Sequence, residues 1–422
     1  MERMIKNLCD ILISVSYREV TTMLRPFFKR LENNNHPLLG PTLWGLARWG
    51  MWQPRLGINT KIYCILHIVA TLFVISQYVE LWIIRYDFNL ALRNLSVTML
   101  STVCVVKAGT FVIWHDQWQE IIEYVSKCEK RQLSKRDKIT SEIINNYTVY
   151  SRRVTYFYWA LVAATVFTVT LAPLAAFWSS KEYRARIRAE QIPYPEIMSS
   201  WLPIDRTRGI GYWLSIVEHT LICFYGGGIV ATYDSNAVAL MSFLAGQLKL
   251  LSTNCSRLFE ENYESGNNTV AKIREYHHDH LRLIKYSKIL NGVLSPVMFL
   301  YVIICSLMIC ASAIQIATNG TTSMQRIWIA EYLMALIVQL FLYCWHSNEV
   351  LIMSHKVDDG VYASSWWSQS QSVRRSVLLL GGQLRRPIVF TAGPFTKLNL
   401  PTFLAILKGS YSFYTLLINK ED

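Results

Sequence analysis

Apolar residues gather along the chain in blocks near positions 62 to 84, 95 to 114, 156 to 178, 211 to 232, 293 to 316, 327 to 349 and 395 to 418, and charged segments separate them. A block of about 20 apolar residues is the length a helix needs to cross the hydrocarbon core of a bilayer. The pattern predicts an all-α membrane protein with seven transmembrane helices. Its units are a polar segment 1–61, helices one to four within 62–232, a polar stretch 233–292, helices five and six within 293–349, a polar stretch 350–394, helix seven over 395–418 and a tail 419–422.

The polar stretches carry a pattern of their own. Ala237, Leu240, Met241, Leu244, Leu248 and Leu251 recur at helical spacing, so the fourth helix should continue well beyond the membrane. A turn is expected over 264–268, followed by a second helical stem through Val270, Ile273, Tyr276, Leu281 and Ile284 that leads into the fifth helix. Two such stems cannot bury their apolar stripes alone, which points to packing on each other and on neighbouring subunits. From Trp366 to Leu384 the spacing fits an amphipathic helix too polar to span. Arg385-Arg-Pro387 ends it, and Thr391-Ala-Gly-Pro394 turns the chain into the last helix.

Composition agrees: 52% of the 422 residues are hydrophobic and only 17% are charged, poor in charge for a water-soluble chain of this length. Lys and Arg are retained on the cytoplasmic side of a membrane protein. The N-terminal segment and the loops on its side hold 28 of them against 10 on the other. The N-terminus is therefore expected in the cytoplasm and the C-terminus outside, with the helical stems forming long cytoplasmic extensions. This is the reverse of a G-protein-coupled receptor, and the third and seventh helices lack that class's acidic-Arg-aromatic and Asn-Pro-x-x-Tyr motifs.

Met1 to Ser14 has no long apolar run, so the first helix should act as its own signal. The net charge of +13 is spread over several loops, and no nucleic-acid partner is expected. Under this threading the nine cysteines fall in helices or cytoplasmic segments, which fits a protein without structural disulfides. Two glycosylation sequons, at Asn94 and Asn319, fall on the outer side.

Chemistry of other kinds is poorly supported. His277 and His280 sit one turn apart, but no cysteine is close in sequence and a solvated polar stripe explains them better than a metal site. Asp358-Asp-Gly360 reads as a turn because the spaced ligands of a calcium loop are missing. No phosphate loop and no nucleophile with a plausible base is present, so neither an enzyme nor a cofactor is expected. A transporter would show repeated halves, and none is seen.

The last eighty residues carry a more specific signal. Phe390-Thr-Ala-Gly-Pro-Phe395, Leu398-Asn-Leu-Pro-Thr-Phe403 and Ile406-Leu-Lys-Gly-Ser-Tyr-Ser-Phe-Tyr-Thr-Leu-Leu417, with Phe341-Leu-Tyr-Cys344, Glu349, Ser354, Tyr362 and Ser365-Trp-Trp367 before them, resemble the C-terminal segment of insect odorant receptors. Related gustatory receptors share the architecture but favour a different pattern in the last helix. The resemblance implies an odorant-gated, non-selective cation channel in the cell membrane of a sensory dendrite. It further implies a heterotetramer in which an odorant-specific subunit joins a shared co-receptor subunit and each last helix lines the pore. The loop between the fourth and fifth helices lacks the co-receptor's insertion, so this chain resembles the odorant-specific partner.

The resemblance also suggests residues. Leu416 matches the gate position best, with Ser412 one turn earlier and Lys420 one turn later on the same face. A narrow apolar ring there would dewet and stop ions; the alternative is that Leu416 packs on its neighbours. Glu421 and Asp422 would lie at the outer mouth and concentrate cations, or form a frayed end. The odorant pocket, a site for a small volatile molecule, is expected in the outer half of the bundle. Candidates are Val97 and Met99 on the second helix, Thr168 and Leu171 on the third, Tyr212, Ile216, His219 and Thr220 on the fourth, and Trp328 and Tyr332 on the sixth; ordinary packing is the alternative for each. Lys107, Glu218 and Glu331 are costly inside a membrane and need partners. Gly226-Gly-Gly228 offers close helix approach or a bend.

Overall fold

The computed structural model describes residues 31–33, 35–53, 58–179, 181–189, 194, 196–201, 209–259, 266–317 and 323–418. Long helices dominate. The elements are α1 (Gly40–Arg48), α2 (Ile58–Ile83), α3 (Phe88–Ile113), α4 (His115–Ser134), α5 (Lys138–Ser179), α6 (Lys181–Arg188), α7 (Gly209–Ser256), α8 (Gly266–Ala317), α9 (Ser323–His355), α10 (Val357–Ala363), α11 (Gln371–Leu384), a two-stranded hairpin of β1 (Thr391–Ala392) and β2 (Thr396–Lys397), and α12 (Leu400–Ile418). Among the described residues α2, α3, α5, α7, α8 and α9 are long and apolar enough to cross a membrane.

The stems expected from periodicity exist as continuations of the spans. Helix α7 runs 48 residues without a break, and α8 runs 52 with Pro296 inside it. From Ile229 to Leu251 nearly every α7 side chain is buried, so this helix is the axis of the core. Around it pack α1, α3, α5, α8, α9 and α10.

The stretch 115–155 proves to be helical almost throughout, where a charged loop was expected. Apolar positions Trp118, Ile121, Ile122 and Val125 form a buried stripe on α4, and its charged opposite face hid the helix from a search for long apolar blocks. Arg136, in the left-handed region at φ 53°, turns the chain out of α4. Asp137 then accepts from the backbone N–H and the hydroxyl of Thr140 at 2.9 and 2.6 Å, starting α5 about five turns before its apolar block.

The last helix begins at Leu400, five residues later than its apolar block suggests. Residues 391–397 form the small hairpin instead. Asn399 caps the new start by accepting from the Thr402 N–H at 2.9 Å, and Pro401 fits the first turn, where an N–H would have no partner in any case. The hairpin is tied to α8: Asn291 Oδ1 accepts from the Thr391 N–H at 2.8 Å, and the Ser295 carbonyl and hydroxyl both accept from the Gly393 N–H. Trp366 to Ser368 is a short 3-10 turn, and the amphipathic helix expected from Trp366 starts only at Gln371.

The Gly226-Gly-Gly228 run serves close approach. A Cβ on Gly228 would overlap the Trp49 ring and one on Gly227 would overlap Val166, so the glycines let the segment after α1 and the span of α5 lie directly on α7. No break marks the helix at this point.

Candidate functional site

Among the described residues, two polar constellations stand out at the spans. The first is centred on Asp234, which sits in α7 where the span passes into the stem. Its Oδ1 accepts from Lys107 Nζ of α3 at 2.5 Å and from the Tyr343 hydroxyl of α9 at 2.6 Å. Its Oδ2 accepts from the Tyr158 hydroxyl of α5 at 2.7 Å and from Gln339 Nε2 of α9 at 2.6 Å. Lys107 is fully buried and faces the rings of Tyr233 and Tyr301 at 5.6 and 5.4 Å. One carboxylate thus ties α3, α5, α7 and α9 together, while the Lys107 ammonium touches α8 through Tyr301. Lys107 needed a partner, but the partner is 127 residues away in what reads as the start of a loop, and no local pattern joins the two.

The second constellation lies at the end of the bundle that carries the 84–87 turn, called the outer end in keeping with the charge count. Phe73 of α2 packs with Ile197 and Met198 of the segment 196–201, and Val97 of α3, Val169 of α5 and Ile216 of α7 border them. The segment is held by polar contacts on three helices. His219 Nε2 meets Ser200 Oγ at 2.9 Å, Asn94 Nδ2 donates to the Ser199 carbonyl at 3.2 Å, Gln77 Nε2 donates to Met198 Sδ at 3.4 Å and the Trp201 N–H donates to the Ser76 carbonyl at 3.2 Å. Phe73 stands edge-on to His219, with centroids 5.7 Å apart. Thr98 donates to Asn94 Oδ1 at 2.7 Å, so both ends of the Asn94 amide are engaged inside the protein. The buried side chain leaves no access for a glycan at this sequon; Asn319 lies outside the described residues.

Of the ten candidate pocket residues, the structure brings Val97, Ile216 and His219 together in this cluster. Thr168 donates to Glu331 Oε1 at 3.2 Å, joining α5 to α9. Met99 and Tyr332 pack on the main core, and the Tyr332 hydroxyl meets Met308 Sδ at 3.9 Å. Tyr212 is buried against Tyr194, with ring centroids 4.9 Å apart, and the Thr220 hydroxyl returns to the Ile216 carbonyl of its own helix. Leu171 is 53% exposed on the outside of the single chain, away from this cluster. The Trp328 side chain lies outside the described residues. Gln77, Asn94, Met198 and Ser200 were not anticipated. A polar residue within the first apolar block offered a signal for Gln77, and Asn94 stands at the edge of the second, whereas nothing in the local pattern marks Met198.

At the C-terminal end, α12 packs on α8 and α9, with the buried Ser410 hydroxyl donating to the Ser306 carbonyl at 3.3 Å. Ser412 is exposed and its hydroxyl bonds back to the Lys408 carbonyl at 3.0 Å. Leu416 is within α12 but its side chain lies outside the described residues, as do Lys420, Glu421 and Asp422.

The profile of the family described as "7tm Odorant receptor" matches residues 87–411. Among curated proteins, Odorant receptor Or2 of Anopheles gambiae is 23% identical over 381 residues, covering 87% of this chain and 95% of that protein. Odorant receptor 82a of Drosophila melanogaster is 23% identical over 84% of this chain and 92% of its own length. The fold matches the insect olfactory receptor OR5 from Machilis hrabei, solved in complex with eugenol, with a TM-score of 0.76 and 17% identity over 94% of this chain and 99% of that one. A second structure of that receptor matches with a TM-score of 0.75 and 16% identity over 94% of this chain and 98% of that one.

Proposed function

The chain belongs to the 7tm odorant receptor family, and we propose that it is the odorant-binding subunit of a ligand-gated, non-selective cation channel. In this reading it lies in the cell membrane of a sensory dendrite with its N-terminus cytoplasmic and its C-terminus outside, assembled with a co-receptor subunit as a heterotetramer. The outer cluster carries the reading. Apolar side chains from four spans meet there around a few polar groups, Gln77, Asn94 and His219, which is the composition a small volatile ligand requires. Eugenol, bound by the Machilis receptor of the same fold, sets the size of molecule to try first.

On this proposal α12 lines the pore, Leu416 is its apolar gate with Ser412 and Lys420 on the same face, and Glu421 and Asp422 stand at the outer mouth. Met99, Thr168, Tyr212, Thr220, Trp328 and Tyr332 then belong to the walls around the ligand's path, and Leu171 to the rim. Volatile-evoked current in cells expressing this chain with the co-receptor, lost when either is omitted and independent of added G proteins, tests the channel. Leu416→Ala is expected to raise basal leak, and an unchanged leak and evoked current removes the gate assignment.

A further inference from the structure

Among the contacts that hold the segment 196–201, those of the Gln77 side chain stand apart. Gln77 is fully buried on α2, about two turns from Ile83. Its Nε2 donates to a thioether sulfur, a weak acceptor, at 3.4 Å. Its Oε1 has no hydrogen-bond partner among the described residues. A buried amide with its acceptor empty and its donor poorly used is an expensive arrangement that calls for an explanation, and a bound ligand supplies one. The group that takes up the neighbouring space is Met198, 9% exposed and clustered with Phe73 and Ile197. Methionine is unbranched, flexible and adaptable. It also sits on a short stretch with no regular secondary structure, whereas Phe73, Val97 and Ile216 around it sit on long helices.

We propose that Met198 is a tethered occupant of a ligand site, and that a volatile alcohol or phenol of compact apolar body displaces it. The inference rests on the odorant-binding reading above and names the ligand class and the residue that selects it. A hydroxyl is both donor and acceptor. It gives its proton to Gln77 Oε1 and takes one from Nε2, satisfying at once the two ends of the amide that Met198 serves through one weak contact. The apolar body takes the place of the methionine against Phe73, Val97 and Ile216. The Ser200–His219 and Asn94–Ser199 contacts flank Met198 and govern how readily the segment yields. A methyl ether of the same skeleton has no proton to give and leaves Gln77 Oε1 empty.

The test pairs C6 to C10 alcohols and phenols with their methyl ethers, applied to cells expressing the full chain with the co-receptor, with surface abundance measured for every variant. In the unmodified chain the hydroxyl compounds are expected to act at about tenfold lower concentration than the ethers, the discrimination of one buried hydrogen bond. Gln77→Leu is expected to bring that ratio within about twofold at unchanged surface abundance. Met198→Ala, which removes the competitor, is expected to lower the effective concentration of alcohols and ethers alike by roughly fivefold, because less of the receptor is held in the occupied form. A hydroxyl preference that persists in Gln77→Leu, or a Met198→Ala variant of unchanged or reduced sensitivity, overturns the proposal.

A second measurement separates this inference from the channel reading. In the purified full-length complex, Met198→Cys is exposed to a small neutral thiol reagent with and without the alcohol panel. Faster labelling with the alcohols supports displacement, and an unchanged rate overturns it. If no volatile evokes current, the channel reading fails while the labelling still decides the occupant.

Discussion

Removing the Asp234 side chain from its setting is the most informative perturbation of this fold. Asp234→Leu leaves the Lys107 ammonium buried with only two ring faces, and strips the hydroxyls of Tyr158 and Tyr343 and the amide of Gln339 of their acceptor. Breaking a buried ion pair by losing one partner costs about 3–5 kcal/mol, and each stranded buried donor adds about 1 kcal/mol or more. A loss of at least about 5 kcal/mol is expected. Lys107→Met is milder, since Asp234 keeps three neutral donors, and should cost about 3 kcal/mol.

Combined in one chain, the two changes leave no stranded charge, and the double variant should be more stable than Asp234→Leu alone. Thermal midpoints of the detergent-purified full chain measure this, and the coupling between the two sites follows from the four midpoints as a double-mutant cycle. If the effects of the two single changes simply add, Lys107 and Asp234 do not stabilise one another and the account of this hub is wrong.

Three further outcomes follow from features outside or beside the hub. Glu129 is fully buried on α4, accepting from the Leu38 N–H at 3.2 Å and the Tyr147 hydroxyl at 2.7 Å, and burial lifts its pKa from 4.5 to about 7, against the opposing pull of those bonds and of Arg152. The folded state therefore favours the protonated carboxyl, and its contribution to stability is full below about pH 4.5, falls as pH rises and is gone above about pH 7. The total is about 3 kcal/mol; Glu129→Gln should flatten the fall in midpoint between pH 5 and pH 8, and an equally steep fall in the variant would refute the assignment. Gly228→Ala drives a methyl group into the Trp49 ring and should cost about 1–3 kcal/mol by overpacking, with partial recovery when Trp49→Leu is added; no loss of midpoint in the single variant contradicts the contact. Asn94→Gln should leave the protein's mobility on a denaturing gel unchanged before and after deglycosylation, since the native Asn94 amide is buried and engaged; a shift would show that this asparagine carries a glycan.

Much of the architecture was legible because apolar length and helical periodicity are local properties. The apolar blocks gave the spans, and the stripe from Ala237 to Leu251 gave the stem of α7. The α4 helix escaped because its buried face, Trp118 to Glu129, is short and interrupted by charges, and the start of α12 was misplaced because Phe395 and Leu398 extend the apolar block over Thr396 and Lys397, which are paired in a hairpin. The site was less legible. Candidates on α3 and α7 such as Val97, Ile216 and His219 do converge, but the segment that packs among them lies in a stretch with no periodicity, and its polar contacts join residues 19 to 125 positions apart. Pairings of that range follow from how helices cross, which no single stretch of the chain records.

The unbroken course of α7 has a mechanical consequence. At 1.5 Å per residue its 48 residues form a rod about 72 Å long, with His219 near one end and Leu251 near the other. A tilt of only about 2° about its midpoint therefore sweeps each end through about 1.3 Å, in opposite directions. The Asp234 carboxylate, roughly midway, is where a fulcrum would stand. Its neighbour α8 carries Pro296 beside the residue that grips the 391–397 hairpin; proline removes one backbone N–H from the helical ladder, so α8 has a weakened turn where α7 keeps its full ladder.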